Sequence, residues 1–287
     1  MGLANVIPGV SGGTIALITN IYEKLILSLK SCDMKALRLL ITIDFKNLNT
    51  HTNLYFLIAV FGGSIASVFS IANLFKYLFE NYPILIWAFF FGLILASIYY
   101  IGKRIKKWSI NNIIIFLIGI VLAIGISLLE PANENSNLFF VFMCGIIGIS
   151  GMMLPGLSGS FILILLGNYE LLLVTAITDF NYILLGVFFL GSITGLLAFS
   201  HIISWLLKNH KDSLLAILTG FILGSLYLIW PWKKISESII INGKEKVLKY
   251  HWYYPDSINT ETIIAFSLVI VGIITIYIIE NISNKKI

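Results

Sequence analysis

Between Glu134 and Glu170 the chain runs for 35 residues without a charge, and in the middle of that stretch stands Leu154-Pro155-Gly156-Leu157-Ser158-Gly159-Ser160. Proline removes a backbone donor and breaks a helix, while glycine permits tight or left-handed turns. In hydrocarbon the freed backbone groups have no water to bond, so a break survives only where it is buried in protein or lines a polar cavity. A second break of the same kind, Ile7-Pro8-Gly9-Val10-Ser11-Gly12-Gly13, lies near the start. Composition makes hydrocarbon the right frame: of 287 residues 58% are apolar and 11% charged, against roughly a quarter charged in a soluble domain. Spans of about 20 apolar residues cross a bilayer as helices, so the chain reads as an all-α polytopic integral membrane protein.

The net charge of +5 comes from lysine-rich loops and gives no reason to invoke nucleic acid. Cys32 and Cys144 are far apart, which indicates neither a disulfide framework nor a metal site, and no cofactor is expected. No cleavable signal peptide is seen, because Met1 lacks a basic region before the apolar run. With the first break only seven residues in, its leading half-helix is expected to be short, or the start to lie upstream.

Apolar segments are read at 54–75, 82–102, 110–129, 181–207, 213–232 and 262–280, with broken elements at 1–29 and 138–178. A basic loop follows Tyr22-Glu23-Lys24. In the long loop 231–261, Asn242-Gly243 between apolar runs signals a hairpin. Trp230, Trp232, Trp252, Tyr253 and Tyr254 around it suit a membrane-interface belt, and the loop reads as a structural cap on the outer face.

The sequence also repeats itself. Pro8-Gly9-Val10-Ser11-Gly12 and Tyr22-Glu23 return 147 positions later as Pro155-Gly156-Leu157-Ser158-Gly159 and Tyr169-Glu170. The run from Gly92 to Tyr99 returns at an offset of 128, from Gly220 to Tyr227. The positive-inside rule then sets the topology. If each break turns back at mid-depth, the basic loops 30–53, 103–108 and 208–212 and the C-terminus share one side, and the bare loops 130–137 and 168–181 share the other. Two inverted repeats are expected, 1–137 and 138–287, each a re-entrant broken hairpin plus three transmembrane helices, with both termini cytoplasmic.

Ser11 and Ser158 sit where N-cap residues would stand for the two returning half-helices. A helix N-terminus carries roughly half a positive charge and several unpaired N–H groups. Two of them converging at the midplane would build an anion site. The breaks themselves come from Pro8, Gly9, Pro155 and Gly156; Gly12, Gly13 and Gly159 allow close backbone approach, and Ser11, Thr14, Ser158 and Ser160 supply hydroxyl donors. The competing reading is packing kinks, with the serines bonded to neighbouring backbone. Glu23 and Glu170, matched in the repeats, are candidates for proton coupling or plain interfacial carboxylates. His201 reads as a polar interface residue. Gly92/Ala96, Gly191/Gly195 and Gly220/Gly224 need only close helix packing.

The run from Ala4 to Ala16 with Tyr22-Glu23, together with Leu154–Ser160 and Asn168-Tyr169-Glu170, resembles the bacterial polyprenyl-phosphate (undecaprenyl-phosphate) translocase family over essentially the whole chain. The resemblance implies a flippase of the inner membrane that returns undecaprenyl phosphate, the lipid carrier of cell-wall synthesis, to the cytoplasmic leaflet. The coupling ion, proton or sodium, stays open. Two departures stand out: a short N-terminus, and Asn5 matched by Met152. The alternatives are a small-anion channel or exchanger and, less favoured, a membrane polyprenyl-pyrophosphate phosphatase. Such phosphatases follow the motif serine with an arginine that clamps phosphate; here Gly12 or Gly159 follows, and no arginine lies in any apolar segment. No enzyme is expected.

Overall fold

The computed structural model describes residues 1–2, 11–241, 244–255 and 259–284. Pro8, Gly9, the Asn242-Gly243 turn and Lys285-Lys286 lie outside the described residues. From the start, α1 (Gly12–Ile18) and α2 (Tyr22–Lys30) precede α3 (Met34–Ile41) and α4 (Phe45–Thr52). Three longer helices follow, α5 (Leu54–Asn81), α6 (Pro83–Gly102) and α7 (Ile110–Ser127). The second break lies between α8 (Leu138–Met153) and α9 (Gly159–Leu165); a wide π-type turn (Leu171–Thr175) and α10 (Ala176–Thr178) then lead to α11 (Tyr182–Asn209) and α12 (Lys211–Ser225). A hairpin of β1 (Lys233–Ile241) and β2 (Lys244–Trp252) separates these from α13 (Thr260–Asn284). Among the described residues, four helices are long and apolar enough to cross a membrane: Pro83–Gly102, Ile110–Ser127, Tyr182–Asn209 and Thr260–Ile282. The chain is a helical multi-pass membrane protein.

Two regions differ from the sequence reading. The basic loop is folded into α3 and α4, each started by an aspartate cap that satisfies first-turn donors. Asp33 Oδ1 accepts from the Lys35 and Ala36 N–H groups at 3.0 Å, and Asp44 Oδ1 from Asn47 at 3.2 Å. Met34, Leu37, Leu40 and Ile41 stay exposed along α3, the pattern of a helix lying in a membrane surface. The segment expected at 213–232 is shorter, because α12 stops at Ser225 and the chain turns through 226–229. The hairpin beyond is antiparallel, with Lys233 opposite Trp252 and Ile241 opposite Lys244. Trp252 Nε1 donates to Tyr227 O at 3.0 Å and Trp230 Nε1 to Tyr253 O at 3.2 Å. Lys233 lies 3.6 Å from the centre of the Trp87 ring and donates to Leu228 O at 2.5 Å. Burial pushes its ammonium down from 10.5 to about 7.

Glycines set the helix pairs. Lipid tails are as apolar as leucine, so helices in a bilayer associate through close packing rather than hydrophobic burial. A Cβ added to Gly92 of α6 would stand 2.1 Å from Val269 O of α13, and one on Gly272 of α13 would stand 2.4 Å from Phe89 O. Gly220 of α12 meets Phe116 O of α7 at 2.2 Å, and Gly119 of α7 meets Ile217 O at 2.5 Å. Gly191 of α11 lies as close to Phe142 O of α8, at 2.2 Å. Inside this frame α1 and α2 are enclosed: Ala16, Ile18 and Ile26 are buried against Ile94, Leu218 and Ile276.

Candidate functional site

Ser11 holds an extended backbone (φ −110°, ψ 141°) and caps α1, its Oγ accepting from the Gly13 N–H at 3.0 Å. The same hydroxyl donates to Met152 O at 3.2 Å, 141 residues away. One turn on, buried Thr14 accepts the Gly156 N–H at 3.1 Å through its Oγ1. Tyr22 donates its hydroxyl to Met153 O at 3.4 Å, and a Cβ on Gly13 would press on Met153 O at 2.8 Å. The first break therefore clasps the backbone of the second. In this arrangement Ser11 and Thr14 spend their hydroxyls on neighbouring backbone, which is what the packing reading expects of them.

The second break is turned by Gly156, whose φ of +87° is left-handed backbone that favours glycine. A Cβ there would also meet Phe221 O of α12 at 2.8 Å. Ser158 repeats the backbone of Ser11 (φ −112°, ψ 133°) at the start of α9, but its Oγ bonds to Ser160 Oγ at 2.7 Å instead of capping the helix. The first intrahelical bond of α9 runs from Ile162 N–H to Ser158 O at 3.0 Å. The N–H groups of Gly159, Ser160 and Phe161 are thus first-turn donors without an intrahelical acceptor.

Gly159 and Ser160 border a cavity of about 450 Å³ between α8, α9 and α11, within the usual range for a small-molecule site. Ser158, Ser160 and Ser192 give it a polar strip, and Met152, Leu163 and Phe188 give it apolar walls. Phe189 and Ile193 at its edge are more than half exposed, so it opens sideways. Among the described residues, Gly12 and Gly13 of the first break border a space of about 50 Å³.

The paired carboxylates lie elsewhere. Glu23 is half exposed and accepts from Lys211 Nζ at 2.8 Å, while the adjacent Lys24 stands over the Phe56 ring. Glu170 is half-buried where the π-type turn begins. His201 is exposed, its Nδ1 2.8 Å from Leu197 O.

Sequence reasoning misses a charged group at the far end of α1 from Ser11. Arg104 reaches back from the end of α6, donating from Nη1 to Leu17 O at 2.6 Å and from Nη2 to Ile18 O at 3.1 Å. Its Nη2 also meets Glu280 of α13, at 2.8 and 3.0 Å to the two oxygens. The signal available in the sequence was an acid at the very end of the last apolar segment. Lys30 ties α2 to α11 through Ser204 Oγ at 3.3 Å.

A family model described as undecaprenyl phosphate translocase-like matches residues 1–247. A polyprenyl-phosphate transporter of Vibrio cholerae serotype O1 is 40% identical over 247 residues, which is 86% of this chain and 80% of the relative. A polyprenyl-phosphate transporter of Staphylococcus aureus is 30% identical over 249 residues, 80% of this chain and 83% of its own length. No solved structure matches the chain.

Proposed function

The chain belongs to the undecaprenyl phosphate translocase-like family, and from that membership we propose that it carries a polyprenyl phosphate across the bacterial inner membrane, from the outer to the cytoplasmic leaflet. One observation brings the reading to this chain's own residues: the two breaks meet beside a cavity that opens sideways and has a polar strip. A phosphate in bare hydrocarbon would cost tens of kcal/mol by Born estimates. The head group needs fixed dipoles, and Ser158, Ser160 and the first N–H groups of α9 supply them. The apolar wall takes the first isoprene units, and the rest of the tail stays in lipid beyond Phe189 and Ile193. Ser11, Gly12, Gly13 and Thr14 form the facing side of the site, which reaches the head group once their clasp on Met152 and Gly156 opens. Such a space suits a lipid phosphate better than a small inorganic anion, which has no use for apolar walls.

The architecture of this reading is a pair of inverted repeats, 1–137 and 138–287, with re-entrant breaks at Pro8-Gly9 and Pro155-Gly156. Several matches support it. The two N-cap serines share a backbone, and α1 and α9 have seven residues each. Each ends in a left-handed residue, Asn20 (φ 60°) or Gly167 (φ 74°). The pairing is reciprocal: Gly92 of the first half faces Gly272 of the second, and Gly220 of the second faces Gly119 of the first. No Lys or Arg occurs between Trp108 and Leu207, which favours loops 130–137 and 168–181 on the outer face and both termini in the cytoplasm. Glu23 and Glu170 remain the candidates for proton coupling.

The test is binding of a short-chain polyprenyl phosphate to purified protein, in competition with free phosphate and with chloride. The lipid phosphate should bind, and neither small anion should displace it at equal concentration. Equal competition by free phosphate would point to a small-anion pathway.

A further inference from the structure

The two half-helices that start at Ser11 and Ser158 are anchored differently at their far ends. Both chains turn through matched bonds: Ile21 N–H to Ala16 O at 3.0 Å after α1, and Asn168 N–H to Leu163 O at 3.1 Å after α9. After α9, Leu165 and Asn168 are tied to the backbone of the loop before α8. Leu165 O accepts from the Ala132 N–H at 2.8 Å, and Asn168 exchanges bonds with the Asn135 backbone at 2.8 and 2.9 Å. After α1 the equivalent carbonyl, Ile18 O, accepts a hydrogen bond from Arg104, as does Leu17 O. The guanidinium is held in turn by Glu280, whose side chain is 7% exposed against 22% for Arg104.

Such a pair adds little net stability, because desolvation offsets most of the attraction. What it does supply is direction. The planar fork fixes the end of α1 relative to α6 and α13 at once, on a long stem that can withdraw, whereas a main-chain clamp cannot. Resting on the transport reading above, we propose that Arg104, oriented by Glu280, is the positioning residue of the first break. It keeps Ser11 and Thr14 seated on Met152 and Gly156, and its release from Leu17 and Ile18 lets α1 withdraw toward the cytoplasmic side while α9 stays anchored.

The test places a single cysteine at Ile18, 1% exposed, in a Cys32→Ser, Cys144→Ala background. Inside-out vesicles are treated with a membrane-impermeant maleimide. Arg104→Gln removes bonds from a charged donor to two carbonyls and should speed labelling by about tenfold or more. Net transport should fall by a comparable factor, while binding of a short-chain polyprenyl phosphate stays within about threefold, a shift under about 0.7 kcal/mol. Arg104→Lys keeps the charge without the fork and should fall between. The exchange variant Arg104→Glu, Glu280→Arg restores an ion pair but not the carbonyl bonds, and should behave like Arg104→Gln. Unchanged labelling in a folded Arg104→Gln protein overturns the proposal, as does wild-type behaviour of the exchange variant. Should wild-type protein bind no polyprenyl phosphate, the transport reading fails, while the labelling series still decides the role of Arg104 at α1.

Discussion

Ser11 and Ser158 hold the same extended backbone and each starts a seven-residue helix, yet Ser11 is pressed against Met152 while Ser158 borders open space. The helices beside them differ in the same sense. Gly191 of α11 lies against α8, whereas Gly63, its mate on α5 at the 128-residue offset, has no atom within 4 Å of a built Cβ among the described residues. Local sequence sets the conformation of a break, and the neighbouring helices decide what it is used for. A repeated motif can therefore pack against backbone in one place and border a cavity in the other.

The largest test of this difference is steric. Gly191→Val would drive a side chain into the α8 backbone, and overpacking of this kind costs about 1–3 kcal/mol or more. It should lower the melting temperature clearly and collapse the cavity, abolishing binding of a short-chain polyprenyl phosphate. Gly63→Val should melt and bind as wild type. Equal effects at the two positions would mean that α5 is covered in the same way as α11.

Next in size is the loss of single hydroxyls. Ser158→Ala should weaken lipid-phosphate binding by roughly tenfold to a hundredfold, the effect of about 1.5–3 kcal/mol from a bond to a charged group. Ser11→Ala should act mainly on the fold, with a cap worth about 0.5–2 kcal/mol, read as a lower melting temperature with binding less affected. A reversed pattern would make the first break the head-group site.

The smallest effect is expected at Glu23. Exposed ion pairs contribute about 0–1 kcal/mol, so Glu23→Gln should leave the melting temperature nearly unchanged. If Glu23 carries protons, transport by the variant should lose its pH dependence; a wild-type pH profile would leave Glu23 as the interfacial partner of Lys211.

The second break is legible in sequence because proline, glycine and serine in a charge-free apolar run have few tolerable environments. Gly92 and Gly220, or Tyr22 and Tyr169, recur in order, and that recurrence is what points to a repeat. α3 is not read as a helix, although Asp33 and the spacing of Met34, Leu37 and Ile41 carry the signal; its lysine and arginine dominate when loops are judged by charge. Arg104 is hidden for a different reason. Within Lys103–Lys107 nothing local distinguishes it, and its role depends on carbonyls 86 and 87 residues earlier in the chain. The difference between Ser11 and Ser158 is equally invisible, since it arises from the path of α8 and α11 around one of two near-identical motifs.

The bond from Gly156 to Thr14 spans 142 residues, and that separation bears on how the protein is made. At about 5–20 residues per second during synthesis, Gly156 emerges roughly 7–28 s after Thr14. Throughout that interval the first break must wait in or beside the insertion machinery with its partner still unmade. A nascent chain of the first half alone should therefore be a substrate for membrane chaperones and proteases, and slowing the ribosome between the two breaks should lower the yield of folded protein.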